Sequence, residues 1–473
     1  MPLILSGNVA TATAATTYEV ANSCRFNSGD SPSLKDGDGS APAGNRQKFT
    51  FSVWFKRAKL GVTQMFAASA YSSGDEGYLY INGSDHLVWH HSSSGMGLLV
   101  TTQKFRDVGA WYNLVWSVDT TQSTAANRMK FYINGSQVTS FSTETYPDED
   151  KELYWNVGGT YYPWIGRRHG GDYWDGYLAE IVHIDNAQLA ADSFGEFDED
   201  SPTIWKPKDV SGLTFGTAGY HLDFEDSGEL GKDVSGQGNH FGTVANLAAT
   251  DQTTDTCTLN YMTLNPLAAG VGDTARIPTF SEGNTKFTAG GSNTYYQAIS
   301  TFGVSVGKWY FEVKIASDQD LDKLRVGYWN IDKNVSSGEI QDVSDANSHV
   351  FYMNKDGGEM RLNTSVTTAN YGTFADNDIM GVAIDMDNRT ISIYKNGSVI
   401  VDAYDYSGGI AAGTVLTPAF MGYDDTAFQV NYGNPHEANS SDAADGNGYG
   451  AFEYAPPTNY LAYNSANLGS DGG

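Results

Sequence analysis

The chain has 473 residues, with 56 Asp and Glu against 28 Lys and Arg and a formal net charge of −28. That length suits about two to four domains, and that sign of charge argues against phosphate backbones and anionic lipid surfaces as partners. No run of about 18 apolar residues appears, so no helix is expected to span or insert into a membrane. Cys24 and Cys257 lie far apart and make no disulfide framework.

Gly (53), Tyr (29) and Phe (22) are abundant while charged residues are only 18% of the chain, which predicts short aromatic strands broken by Gly, Asn, Asp and Ser turns. The expected fold class is all-β, with two antiparallel β-sandwiches in tandem. Residues 1–19 start Met1-Pro-Leu-Ile-Leu-Ser-Gly, lack the cationic and long apolar regions of a secretion signal, and read as an N-terminal docking segment. Residues 20–200 hold the first sandwich. Its strands are Phe49-Thr-Phe-Ser-Val-Trp-Phe-Lys, Tyr78-Leu-Tyr-Ile before Asn82-Gly, His86-Leu-Val-Trp-His-His, Trp111-Tyr-Asn-Leu-Val-Trp-Ser-Val-Asp, Met129-Lys-Phe-Tyr-Ile before Asn134-Gly, and Trp174-Asp-Gly-Tyr-Leu-Ala-Glu-Ile-Val-His-Ile-Asp. Ala187-Gln-Leu-Ala-Ala-Asp is the one helical stretch expected. Residues 201–265, broken by Pro202 and Pro207, read as a structured connector.

Residues 266–436 hold the second sandwich. It contains Gly307-Lys-Trp-Tyr-Phe-Glu-Val-Lys-Ile, Leu324-Arg-Val-Gly-Tyr-Trp, the paired run from Asp378 to Asn396-Gly-Ser, Thr417-Pro-Ala-Phe and Phe428-Gln-Val-Asn-Tyr-Gly. Residues 437–473 lose this periodicity, and Ala455-Pro-Pro-Thr-Asn-Tyr reads as an extended segment strapped to a neighbour.

Ile165-Gly-Arg, the Trp111–Asp119 strand, the Phe131-Tyr-Ile-Asn-Gly hairpin and Trp174-Asp-Gly-Tyr-Leu-Ala-Glu-Ile resemble the concanavalin A-like sandwich of laminin G-type domains. The motifs from Gly307 to Gly433 are similar, in order, to the SPRY pattern, which implies a non-enzymatic binding sandwich. The whole order resembles virion appendage proteins of marine bacteriophages, often called tail fibres. That resemblance rests on the Met1 start, Cys24-Arg-Phe-Asn-Ser, Leu230-Gly-Lys-Asp-Val-Ser-Gly-Gln-Gly-Asn, Asp255-Thr-Cys-Thr-Leu-Asn-Tyr-Met and Pro456-Pro-Thr-Asn-Tyr. The chain stops soon after Pro456-Pro457, where longer relatives continue, so a tip role is not implied.

Concanavalin A-like sandwiches include glycosidases, whose two carboxylates alternate along one strand. The nearest run here, Glu196-Phe-Asp-Glu-Asp-Ser, has Ser201 where the second Glu belongs, and Glu225-Asp-Ser-Gly-Glu fails similarly. Asp36-Gly-Asp-Gly-Ser begins like a calcium loop, but Ala41 and Gln47 stand where an EF-hand needs Gly and Glu. Calcium remains open as a cofactor through Asp119, Asp172 or Asp175, and no other cofactor is expected. His86 and His90 share a strand face ~13 Å apart, too far for one zinc ion. The expected ligand patch is aromatic and basic: Tyr161, Tyr162, Trp164, Arg167, Arg168, His169, Tyr173 and Trp174, joined in the second sandwich by Tyr328 and Trp329. Sugars stack on aromatic rings, and Arg pairs with carboxylates, so acidic surface polysaccharide fits this set.

The expected function is that of a virion fibre or spike component, made in the host cytoplasm and acting outside it, without enzymatic activity. It would bind a host-surface ligand, a glycan first of all. The alternatives are a structural virion protein (head decoration or fibre adaptor) and a polysaccharide depolymerase. Its expected partners are other virion proteins through the N-terminal segment, the host glycan or a host surface protein, and further copies of itself as a homo-oligomer, with a trimer as one form.

Overall fold

The computed structural model describes residues 18–36, 41–70, 76–91, 93–159, 161–268, 276–291, 294–317, 323–333, 339–340, 343, 345–355, 357–367 and 369–469. The docking segment expected at 1–19 therefore lies outside the described residues except for Tyr18 and Glu19. The chain divides into two compact units, the first ending at Leu259 and the second starting at Asn260.

The first unit is a sandwich of two antiparallel sheets. One runs in the order Ser136–Gln137, Met129–Ile133, Trp111–Asp119, Lys48–Arg57, Gly176–Asp185, Ser23–Phe26, Gln252–Thr253, with Tyr220–Leu222 also pairing to Gly176–Asp185. The other runs Phe141–Thr145, Leu98–Lys104, His86–His91, Glu76–Ile81, Gln64–Ala70, Tyr162–Ile165, Ser33–Lys35, Thr243–Ala245. Phe49, Phe51, Val53 and Phe55 alternate inward from the first sheet and meet Leu79, Trp89 and Leu99 of the second. The first sheet is also covered on its outer side, where Trp54, Trp111 and Tyr177 pack with Trp205, Val210, Phe215 and Cys257. This second layer explains why every residue of Gly176–Asp185 is buried.

The stretch read as a connector is divided by the structure. Residues 201–259 belong to the first unit: Trp205, Val210 and Phe215 cover one sheet, while Tyr220, Leu222, Phe224, Leu230 and Phe241 join the core. Ala187–Asp192 is not a helix, and only a 3-10 turn forms at Ala191–Ser193. Six residues are too few to nucleate a helix unaided, and Thr50 Oγ1 takes the Leu189 N–H while donating to the Ala187 carbonyl. Asn134-Gly135 and Asn396-Gly397 form left-handed two-residue turns, with φ of 45° and 77° and of 48° and 79°. The Asn82 turn differs: it closes with Asp85 at φ 68°.

The second unit is a sandwich too. One sheet runs Thr279–Ser281, Lys286–Thr288, Ala427–Asn431, Lys308–Ser317, Ile379–Asp385, Thr390–Lys395, Ser398–Asp405. Its partner runs Tyr295–Ile299, Leu416–Tyr423, Arg325–Asn330, His349–Met353, Glu359–Leu362, Ser365–Val366. The C-terminal segment folds back on this same unit. Leu461–Ala462 pairs in parallel with Trp309–Tyr310, and Tyr463 enters the core. The buried Glu312 carboxylate accepts the Glu453 and Tyr454 N–H groups, each at 2.8 Å. The Tyr310 hydroxyl donates to it at 3.1 Å and Asn431 Nδ2 at 3.3 Å. The tail thus supplies two of the donors that allow a carboxylate to be buried.

Candidate ligand face of the first unit

The second sheet of the first unit separates an inward row of side chains from an outward one. Leu34, Ile165, Ala67, Leu79, Trp89 and Leu99 lie in register across six strands and all belong to the core. Displaced by one residue along each strand, Lys35, Trp164, Ala68, Tyr78, His90 and Leu98 form the next row, on the opposite face. Five of these six are half-buried, and Ala68 is buried between Trp164 and Tyr78. The small Ala68 leaves the two rings about two strand spacings apart, ~10 Å. Tyr78 stacks on His90 (6.0 Å, 23°) and meets Tyr80 edge-on at 6.4 Å.

A hairpin crosses this face. Residues 166–172 turn back through reciprocal backbone bonds between Arg168 and Gly171. The Arg167 guanidinium lies 4.6 Å from the Trp164 ring and 5.1 Å from that of Tyr173. Its Nε and Nη2 donate to the carbonyls of Arg168 and His169. Arg168 pairs with Asp172 at 2.5 Å and stands 5.6 Å from the Tyr78 ring. His169, more than half exposed, points Nδ1 to within 3.9 Å of the buried Glu76 carboxylate. Burial and the Glu76 carboxylate together push the Tyr78 hydroxyl up to about 12.

The residues expected to bind ligand are thus sorted. Trp164, Arg167, Arg168, His169 and Tyr173 come together. Tyr161 stands apart, half-buried against Tyr154 at 5.9 Å and lining a cavity of about 20 Å³, room for one water and none for a sugar. Tyr162 opens its strand, and its side chain lies outside the described residues.

Three expected site residues are corrected. Trp174 is a core residue, fully buried against Phe55 at 5.8 Å and Phe66 at 4.4 Å. Tyr328 is buried and bonded to the Tyr463 hydroxyl at 2.7 Å, and Trp329 packs with Phe351 and Met421 beneath the other side of its sheet. Their strand is central and covered on both faces, so neither ring meets solvent. Tyr352 is buried likewise, donating its hydroxyl to the Gly372 carbonyl, while Tyr371 packs at the edge of that core. Sequence reasoning missed Tyr78, Tyr80, His90 and Glu76. Their signal was the period-two spacing of 76, 78 and 80 on one strand.

The Asp residues considered for calcium have partners of their own. Asp119 is held by Thr121, Gln122 and Lys48, which lower its pKa although burial works the other way. Asp172 holds Arg168. Asp175 accepts from the Ser28 N–H at 3.1 Å and its hydroxyl at 2.5 Å. Among the described residues no three His, Cys, Asp or Glu side chains converge as a metal site.

Residues 29–192 match the concanavalin A-like lectin/glucanases superfamily, and residues 308–435 match the SPRY domain. The chain carries a concanavalin A-like domain followed by a SPRY domain. Similar solved structures include the SPRY domain of human HERC1, with 19% identity over 35% of this chain and 96% of that one, at a TM-score of 0.27. The TRIM65 PSpry domain shares 11% identity over 36% of this chain and 89% of its own, at a TM-score of 0.29. Stonustoxin shares 18% over 36% of this chain and 27% of its own, at a TM-score of 0.25. No curated protein sequence matches the chain. Among the described residues no helix of the concanavalin A-like–SPRY chain is long and apolar enough to cross a membrane.

Proposed function

We propose that this chain is a non-enzymatic binding component of a bacteriophage virion whose concanavalin A-like domain engages a host-surface glycan. The observation that carries the reading is the outward row Lys35, Trp164, Ala68, Tyr78, His90 and Leu98 across six in-register strands. Rigid strands present its two aromatic rings, and strands hold a binding geometry better than loops. Six strands at ~4.8 Å spacing make a floor ~24 Å wide, the length of several sugar rings. The virion setting comes from the likeness of the motif order to phage appendage proteins.

The acidic run weighed as catalytic supports binding over hydrolysis. Asp198 accepts from the Asp200 and Ser201 N–H groups, and Glu196 and Asp198 both face Lys206. These carboxylates brace a turn.

Binding of the full-length protein to host cells and to a glycan panel tests the reading. Trp164→Ala and Tyr78→Ala should each weaken binding about tenfold, the ~1.4 kcal/mol of one aromatic contact. Binding that both variants leave unchanged would remove this face from the account.

A further inference from the structure

Glu76 is 1% exposed, and neither carboxylate oxygen makes a hydrogen bond of ordinary geometry among the described residues, although the Tyr78 hydroxyl lies close enough for its pKa to be raised by it. His169 Nδ1 stands 3.9 Å away, beyond hydrogen-bond reach. A buried carboxylate with spare acceptors is costly, and such costs persist where a ligand relieves them. The strand period puts Glu76 on the same face as Tyr78 and Tyr80, two residues along the strand from the outward row. The rings of that face already hold cations: Arg167 on Trp164 and Tyr173, Arg168 on Tyr78. Both guanidiniums are also bonded within the hairpin or to Asp172, so they offer little to an acidic ligand. Glu76 adds a buried carboxylate to this face.

We infer that Glu76 and the Tyr78 ring form a subsite for the protonated amine of an amino sugar, with His169 standing where that amine would sit. This rests on the glycan-binding reading above and turns its expected charge preference from acidic to cationic sugars. A sugar ring on Tyr78 places an ammonium and a neighbouring hydroxyl against the Glu76 carboxylate. His169 sits at the hairpin tip with 53% of its side chain in solvent, so it can swing aside.

Calorimetry of the full chain with a glucosamine trimer, an N-acetylglucosamine trimer and a galacturonate trimer tests the inference. The glucosamine trimer should bind at least tenfold tighter than either other sugar. Glu76→Gln should weaken it at least tenfold while the variant stays folded, because the amide keeps the side chain's volume. His169→Ala should strengthen it severalfold by removing the occupant. Equal binding of the acetylated trimer, preference for galacturonate, or an unchanged Glu76→Gln variant would overturn the amine subsite while leaving glycan binding standing. No binding of any sugar or of host cells would overturn both. Tight binding of an Arg-rich peptide at Glu76, with no amino sugar bound, would overturn the sugar assignment.

Discussion

Two of the buried histidines weaken the molecule in acid. Burial depresses His183 in the first unit to about 4, against Asp185, and burial aided by Arg361 depresses His349 in the second to about 4. An unfolded imidazole takes its proton near pH 6.5. Between those values the unfolded chain binds more protons, so stability falls as pH drops from about 6.5 to about 4, by on the order of 3 kcal/mol per histidine. Melting curves from pH 7 to pH 4 should show this slope, and His183→Gln should flatten it for the first unit. An unchanged slope in that variant would count against the assignment. Buried charge behaves differently at Lys56, whose Nζ meets Asp255 Oδ2 at 2.8 Å while Trp111 Nε1 donates to Oδ1 at 3.0 Å. Asp255→Ala removes the carboxylate that both donors meet and should cost about 3–5 kcal/mol in denaturant melts.

At the scale of elements, the C-terminal strap depends on Glu312. Glu312→Ala removes the acceptor for the Glu453 and Tyr454 N–H groups, and should destabilise the second unit by about 2–4 kcal/mol. Hydrogen exchange would show it first at residues 452–462, and unchanged protection there would contradict the strap. Gly135 is a second sensitive point, because its φ is 77° and a Cβ there would lie 2.4 Å from the Trp205 ring. Gly135→Ala should cost about 1–3 kcal/mol in melting experiments.

These elements also show what the sequence makes readable. Alternation along Phe49–Lys56 and Trp111–Asp119 marks strands because one face of each meets a continuous core. Asn134-Gly135 and Asn396-Gly397 mark hairpins because only such pairs tolerate two left-handed residues. The site was half legible. Trp164 and Trp174 lie ten positions apart in one aromatic run, but the hairpin between them turns one outward and sends the other into the core, which no local spacing encodes. The Tyr78–His90 pair needs cross-strand register, and the Asn82 turn that sets it closes at Asp85 in place of the Asn-Gly step. Residues 201–259 hid their allegiance because they add a second layer to a sheet formed far earlier in the chain.

For the whole molecule, charge and architecture point the same way. A net charge of −28 predicts no measurable association with duplex DNA at physiological salt, which fluorescence anisotropy would check. Saturable DNA binding would contradict this. In the proposed reading the aromatic sheet face of the concanavalin A-like domain contacts the ligand, while Tyr328 and Trp329 of the SPRY domain are buried. The most direct test is binding of labelled full-length protein to host cells, with the Trp164→Ala, Tyr78→Ala double variant alongside. Saturable binding that competes with phage adsorption and is lost in the folded double variant is the predicted result. Equal binding by both proteins, or none by the folded wild-type chain, would contradict the central claim.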